Sequence, residues 1–158
     1  MSVAASIHAS AVSVGGRAVL IRGPSGAGKS RLAFDLILAG LAGQIPATRL
    51  IGDDRVLLAR ADGRLFVRGA PNLLGLLEIR GLGIRRYAAV ENEAELGLIV
   101  DLATDDGTRL PDPATLRAEI DGISAPRVPV ASGFPALPLV LAALLTTQGP
   151  VALHHALG

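Results

Sequence analysis

Residues 23–30 read GPSGAGKS, with RAVLIR (17–22) directly before and RLAFDLILAG (31–40) directly after. The octapeptide satisfies G-x-x-x-x-G-K-[ST], a pattern that marks a phosphate-binding loop when a strand feeds it and a helix leaves it. Both flanks comply. RAVLIR is a short β-prone aliphatic run, and Leu32, Ala33, Leu36 and Ile37 fall on one helical face, with Gly40 as the expected stop. Gly23, Gly26 and Gly28 let the backbone bend so that successive N–H groups face inward, and a helix starting near Lys29 points its positive dipole end at the same spot. An anion therefore belongs on Gly23, Pro24, Ser25, Gly26, Ala27, Gly28, Lys29 and Ser30. Lys29 can reach the β- and γ-phosphates of ATP, and the Ser30 hydroxyl can take one coordination position of a magnesium ion. The loop alone does not choose between hydrolysis, transfer to a metabolite and transfer to a protein.

Working outward, SIHASAVSV (6–14) joins RAVLIR through Gly15-Gly16, a pair suited to a two-residue hairpin turn. Downstream, 41–49 reads as a loop, and RLIGDDRVLLARA holds two short strand-like pieces around a double aspartate. Ala61-Asp62-Gly63 then turns the chain into RLFVRG as a second hairpin. Pro71 is positioned to begin a short helix through LLEIRGLGI (76–84), and ELGLIVDLA (95–103) reads as a strand. A proline-rich segment, 111–138, leads to a last, buried helix around LVLAALL (139–145), and 149–158 is expected to be a loose tail. The pattern predicts a single α/β domain over 1–148, with a phosphate loop and a mixed, partly antiparallel sheet covered by helices.

Composition narrows the function. A chain of 158 residues suffices for one core, since folding at about this size buries roughly 68–70% of the unfolded surface. There is no cysteine, which removes disulfide and thiolate chemistry. A net charge of +1 and only four aromatic residues, three Phe and one Tyr, give little to hold or stack nucleic acid. The N-terminus, MSVAASIHAS, has neither the basic start of a secretory signal nor the arginines of a transit peptide, and LVLAALL is far too short to cross a bilayer. The expectation is a cytoplasmic protein without nucleic-acid or membrane partners.

Asp53-Asp54 follows Leu50-Ile51-Gly52, so two carboxylates stand at the end of a short strand, where open α/β sheets commonly place functional groups. In phosphoryl transfer one carboxylate typically holds magnesium and another accepts the proton of the attacking hydroxyl. Either aspartate can take either task. LLEIRGLGI is harder to read as structure, because Glu78 and Arg80 interrupt an apolar run and Gly81 and Gly83 weaken helix and strand alike.

With its phosphate loop, double aspartate and LLEIRGLGI, the chain resembles the HPr kinase/phosphorylases, whose signature matches that nonapeptide almost letter for letter. The resemblance implies a fold shared with phosphoenolpyruvate carboxykinase. It also implies an ATP- and magnesium-dependent kinase acting on a serine of HPr or an HPr-like phosphocarrier protein of a phosphotransferase system. Glu78 becomes a magnesium ligand beside Ser30, and Asp54 or Asp53 the proton acceptor. His8 matches the family's histidine upstream of the loop, although Ala9 stands where glycine is usual, and DGTRL (106–110) makes Arg109 a partner for the transferred phosphate.

Several positions depart from the family. Its separate N-terminal domain has no counterpart here, so the chain reads as a minimal catalytic form, with hexamer formation carried over only weakly. Pro24 replaces the usual aspartate, Arg31 an acidic residue, and PVASGF (129–134) an arginine-rich segment associated with dephosphorylation. The expected consequence is a weak phosphorylase activity beside a retained kinase. Two rivals remain open: a small-metabolite or phosphoenolpyruvate carboxykinase-like phosphotransferase, and an ATP-sensing module without turnover. Arg85-Arg86 and Glu91, Glu93 and Glu95 read as solvated charges, and His154-His155 lacks further ligands for a metal.

Overall fold

The computed structural model describes residues 5–150; most of the expected loose tail, and His154-His155, lie outside the described residues. The elements run β1 (Ala5–Ile7), β2 (Ser10–Val14), β3 (Arg17–Arg22), α1 (Lys29–Leu41), β4 (Thr48–Gly52), β5 (Val56–Ala61) and β6 (Arg64–Gly69). They continue with β7 (Leu76–Ile79), β8 (Gly83–Arg86), β9 (Glu93–Thr104), β10 (Arg117–Ile120), β11 (Ile123–Ala131) and α2 (Ala136–Leu145). Nine strands form one mixed sheet whose main path is β1-β5-β6-β9-β3-β2-β4, with β11 also on β9 and β10 on β11. β7 and β8 form a separate two-stranded hairpin.

The twelve-residue β9 organises the sheet. Its first part pairs antiparallel with β6, at Glu93–Glu95, while its last part pairs in parallel with β11, from Ile99 onward. Along its other edge it runs parallel to β3. Strands buried on both faces read as continuous apolar runs rather than alternations, which is why Ala18–Ile21 and Leu98–Val100 are uninterrupted. One face, with Val19, Ile21, Leu98 and Val100, packs against Leu32, Ala33, Leu36 and Ile37 of α1. The other face buries Leu20, Ile51, Leu65, Val67 and Ile99 beneath the antiparallel hairpins.

β2 and β3 are joined through Gly15 and Gly16 at φ 58° and 84°, the doubly positive geometry of a tight hairpin turn. β5 and β6 turn in the same way at Asp62 and Gly63.

Five details differ from the sequence reading. The run 6–14 is broken at His8-Ala9: β1 pairs with β5, whereas β2 pairs with β3 and β4, so the chain changes partners there. Gly40 does not stop α1. It lies inside the helix at the closest approach to β4, where a Cβ would stand 2.6 Å from Thr48 Oγ1. Helical continuation through LLEIRGLGI fails because the turn begun at Pro71 ends at Leu73, and Gly81 and Gly83, at φ 97° and 86°, turn β7 back into β8. The proline-rich 111–138 contains a full antiparallel hairpin, β10 to β11, because Asp121-Gly122, at φ 50° and 78°, supply a tight two-residue turn; Pro126 stands opposite Arg117 and Pro129 opposite Asp101 of β9. Finally, α2 is apolar but not buried: only Val140 is, while Leu145 is 59% exposed, because the described residues place no layer over its outer face.

Candidate active site

β3, β9 and β11 are parallel neighbours, so their C-terminal ends open on the same side of the sheet. At that edge lies a cleft of about 1270 Å³, lined on one flank by His8, Ser10, Asp54 and Glu78, centrally by 25–32, and on the other flank by Leu102-Ala103 and 130–138.

The loop after β3 bends at Gly23, Gly26 and Gly28, with φ 156°, 83° and 99°. No side chain caps the N-terminus of α1, and its first turn has no acidic residue. The leading N–H groups, which have no partner inside a helix, thus face the loop as anion donors. Lys29 is 7% exposed, and its Nζ donates to the Gly23 and Pro24 carbonyls at 2.8 and 3.1 Å, which folds the ammonium across the loop it would share with phosphate. Pro24 has no N–H, so its contribution is its carbonyl, which also accepts from Ala27 N–H.

The two aspartates occupy a turn rather than a strand and are sharply differentiated. Asp53 is 5% exposed, and its carboxylate is filled by neutral donors. Ser10 Oγ donates to Oδ1 at 2.6 Å, Ser30 Oγ lies 2.8 and 2.9 Å from the two oxygens, and the Glu78 N–H donates to Oδ2 at 2.9 Å. Asp54 adopts φ 67°, which turns its side chain out of the core to 68% exposure, and His8 Nε2 meets its Oδ1 at 2.6 Å. The break between β1 and β2 is what brings His8 there.

Glu78 is exposed at the cleft wall, tied to the aspartate turn by its own backbone N–H. Arg109 lies exposed on the loop between β9 and β10 and is not part of the cleft lining. That loop is anchored nearby. The Asp101 carboxylate is shared by Arg22 (2.7 and 2.8 Å) and Arg127 (2.6 Å), and Arg127 also donates to both Asp106 oxygens at 2.8 and 3.2 Å. Burial works against the Asp101 anion, yet the two guanidiniums outweigh it and hold its carboxyl below the usual range. Arg127 does the same for Asp106, and the two carboxylates raise the guanidinium in return.

Sequence reasoning missed Ser10 and the wall at 134–138. Ser10 is fully buried in a strand whose five residues, SAVSV, are all buried; the strand holds a second buried hydroxyl, Ser13, so the serine alone was no signal. The wall had none, because it is assembled only when β11 returns beside β9.

A glycine-rich loop of phosphate-loop sequence opening α1, a buried carboxylate against its serine and an exposed carboxylate–histidine pair on one flank of the cleft define a mixed-sheet α/β protein of the phosphate-loop type. A family model, HPr Serine kinase C-terminal domain, matches residues 1–144, and the chain belongs to that family. It is 42% identical over 108 residues to the HPr kinase/phosphorylase of Pediococcus pentosaceus, covering 64% of this chain and 32% of that one. With the HPr kinase/phosphorylase of Streptococcus thermophilus it shares 34% over 140 residues, 81% and 43% of the two chains. The chain thus spans less than half the length of these curated relatives. Its fold superposes on the Hpr(Ser) kinase/phosphatase from Coxiella burnetii with a TM-score of 0.69 at 25% identity, over 97% of both chains. Among the described residues, no helix is long and apolar enough to cross a membrane.

Proposed function

We propose that the chain is an ATP- and magnesium-dependent protein kinase that phosphorylates a serine of HPr or of an HPr-like phosphocarrier protein. The observation that carries this reading is the convergence of three distant segments on one cleft: the phosphate loop, the Asp53-Asp54 turn with His8, and Glu78 of the signature hairpin.

The geometry favours a division between the aspartates. Ser30 gives its hydroxyl hydrogen to Asp53, which leaves its lone pairs for a cation, and Asp53 itself is buried without a cationic partner among its bonds. A hard divalent ion fits that donor set. Among the described residues no three His, Cys, Asp or Glu side chains form a cage of their own, and magnesium characteristically keeps waters and phosphate oxygens as most of its ligands. Ser30 and Glu78 would hold it, oriented by Asp53; when bound, it neutralises charge developing on the transferred phosphoryl group.

Asp54, exposed and fixed by His8, is the base. Its free carboxylate oxygen takes the proton of the acceptor serine as the serine oxygen bonds to the γ-phosphorus and ADP leaves. Lys29 leaves the loop carbonyls to meet the β- and γ-phosphates. Arg109 contacts the phosphate from its loop once the acceptor protein closes over the cleft. The reverse phosphorylase reaction is weak in this reading, since 129–134 brings no cation to the site. The apolar outer face of α2 suits a homo-oligomer, six copies by family resemblance, acting in the cytoplasm.

The test is incubation of the chain with γ-labelled Mg-ATP and the HPr-like protein of its own organism. Label on a carrier serine is expected. ATP binding without label at high enzyme concentration would point instead to a nucleotide sensor, and label on a small metabolite would overturn the protein-kinase assignment.

A further inference from the structure

Seven large apolar side chains are conspicuously exposed among the described residues, and two of them, Phe134 (57%) and Leu38 (46%), line the phosphate-loop cleft. Phe134 lies at the end of the turn after β11, where its N–H donates to the Ala131 carbonyl at 3.0 Å and Gly133 takes φ 78°. Pro135, Leu137 and Pro138 continue the same wall into α2, while Phe34 and Leu38 of α1 also line the cleft.

The order of strands gives this wall a meaning. The phosphate loop follows β3. On its β2–β4 side stand His8, Ser10, Asp53 and Asp54, and on its β9–β11 side stand Leu102, Ala103 and the 130–138 segment. Acidic and proton-transferring groups occupy the first flank, so the phosphorus under attack belongs there. The other end of a nucleotide then extends past the loop toward the second flank. Apart from Ser132 its side chains are apolar, with a ring at the rim, which suits a flat base rather than a sugar or a phosphate.

We infer that Phe134 is the nucleobase platform, the base lying on its ring with Leu38 of α1 beside it. This rests on the nucleotide reading of the loop proposed above, and it makes Phe134 a determinant of donor choice: it rewards a nucleoside triphosphate over inorganic polyphosphate, although both present the same phosphates to residues 23–30.

The experiment compares ATP with inorganic tripolyphosphate, which has no base, by calorimetry in the presence of magnesium. Base–aromatic stacking of the usual strength makes Phe134→Ala weaken ATP binding by about 5- to 150-fold, with tripolyphosphate affinity held within about twofold. Because the ring is more than half exposed, the substitution removes little packing, and an unchanged thermal midpoint checks this. Phe134→Trp provides an independent readout: the chain has no tryptophan, so the new indole emission should quench on ATP and not on tripolyphosphate. Equal weakening of both ligands, unchanged ATP affinity in Phe134→Ala, or an effect confined to the KM for the acceptor protein would each overturn the platform. If the unaltered protein bound neither ligand, the phosphate-loop reading would fall first, and the platform with it.

Discussion

Replacing each aspartate of the doublet by asparagine separates two roles that adjacent identical residues would otherwise blur. Asp53 makes its contacts through both oxygens: Oδ1 accepts from Ser10 and Ser30, and Oδ2 accepts from Ser30 and from the Glu78 N–H. An asparagine has one acceptor and one donor end. With its amide nitrogen toward Glu78, two N–H groups that cannot rotate away would oppose each other. With the nitrogen toward Ser10, that hydroxyl must turn to accept and lose its own acceptor in a site with no exposure. Either way a charge-assisted bond is lost and a buried donor is left over, which costs about 1–3 kcal/mol, or roughly 2–12 °C of Tm for a chain of this size. Asp54→Asn has no such penalty, because the side chain is 68% exposed and asparagine accepts the φ 67° backbone. Its stability should stay within about 0.5 kcal/mol, whereas kcat should fall by about 10²–10⁴ through loss of the base. Calorimetric Tm, Mg-ATP affinity and single-turnover labelling of the acceptor, measured on both variants, read the two effects apart. An Asp53→Asn protein as stable as the unaltered one, or an Asp54→Asn protein that keeps its turnover, would refute the division.

Asp101→Asn should destabilise by about 2–4 kcal/mol, since Arg22 and Arg127 would lose the one carboxylate they share. Because Asp101 and Asp106 titrate below their unfolded values, the stability they contribute is complete above about pH 4 and is lost as pH falls through their lower folded values. The acid limb of a pH–Tm curve should therefore flatten in Asp101→Asn, and an unchanged limb would rule out this network as its source. Gly40→Ala should lower Tm even though alanine favours helices by about 1 kcal/mol, because its Cβ would meet Thr48 at 2.6 Å; a gain in Tm would show that β4 yields at that point.

What the sequence made legible was whatever a short window contains. The phosphate loop is local, and both hairpin turns announce themselves through residues able to take positive φ. The signature hairpin was misread because Leu76, Leu77 and Ile79 carry no period that separates a half-exposed strand from a helix turn, and the tertiary bond from Glu78 N–H to Asp53, which holds β7 beside the site, has no local sign. The doublet Asp53-Asp54 was legible as a pair, and the structure brings it beside the cleft, but the difference between the two was hidden because it depends on Ser10 and His8, more than forty residues earlier. α2 was misread for the converse reason: apolar content predicts a wish to be covered, not whether anything covers it.

The segment 129–134 links donor choice with the direction of the reaction. Reversal by phosphorolysis needs a second anion held beside a phosphoserine, and the cleft lining contains Lys29, Arg31 and Arg80 as its permanent cations. Lys29, bonded to the Gly23 and Pro24 carbonyls, goes to the nucleotide phosphates on the proposed reading, and Arg31 stands 3.8 Å from Asp35 on the same helix. Arg80 is thus left to hold the attacking phosphate, with help from Arg109 only if its loop moves inward. Each missing charge-assisted hydrogen bond is worth about 1.5–3 kcal/mol, so on the proposed mechanism one or two fewer cations would slow reversal by one to a few orders of magnitude, while forward transfer, which would use the loop amides and Lys29, would be spared. Phe134 stands on the same six residues. A cation there would favour inorganic phosphate and an aromatic ring a nucleotide, so, on the function proposed above, the stretch that ends β11 and leads into α2 would bias the site toward ATP as its donor and toward the phosphorylated carrier as its end point.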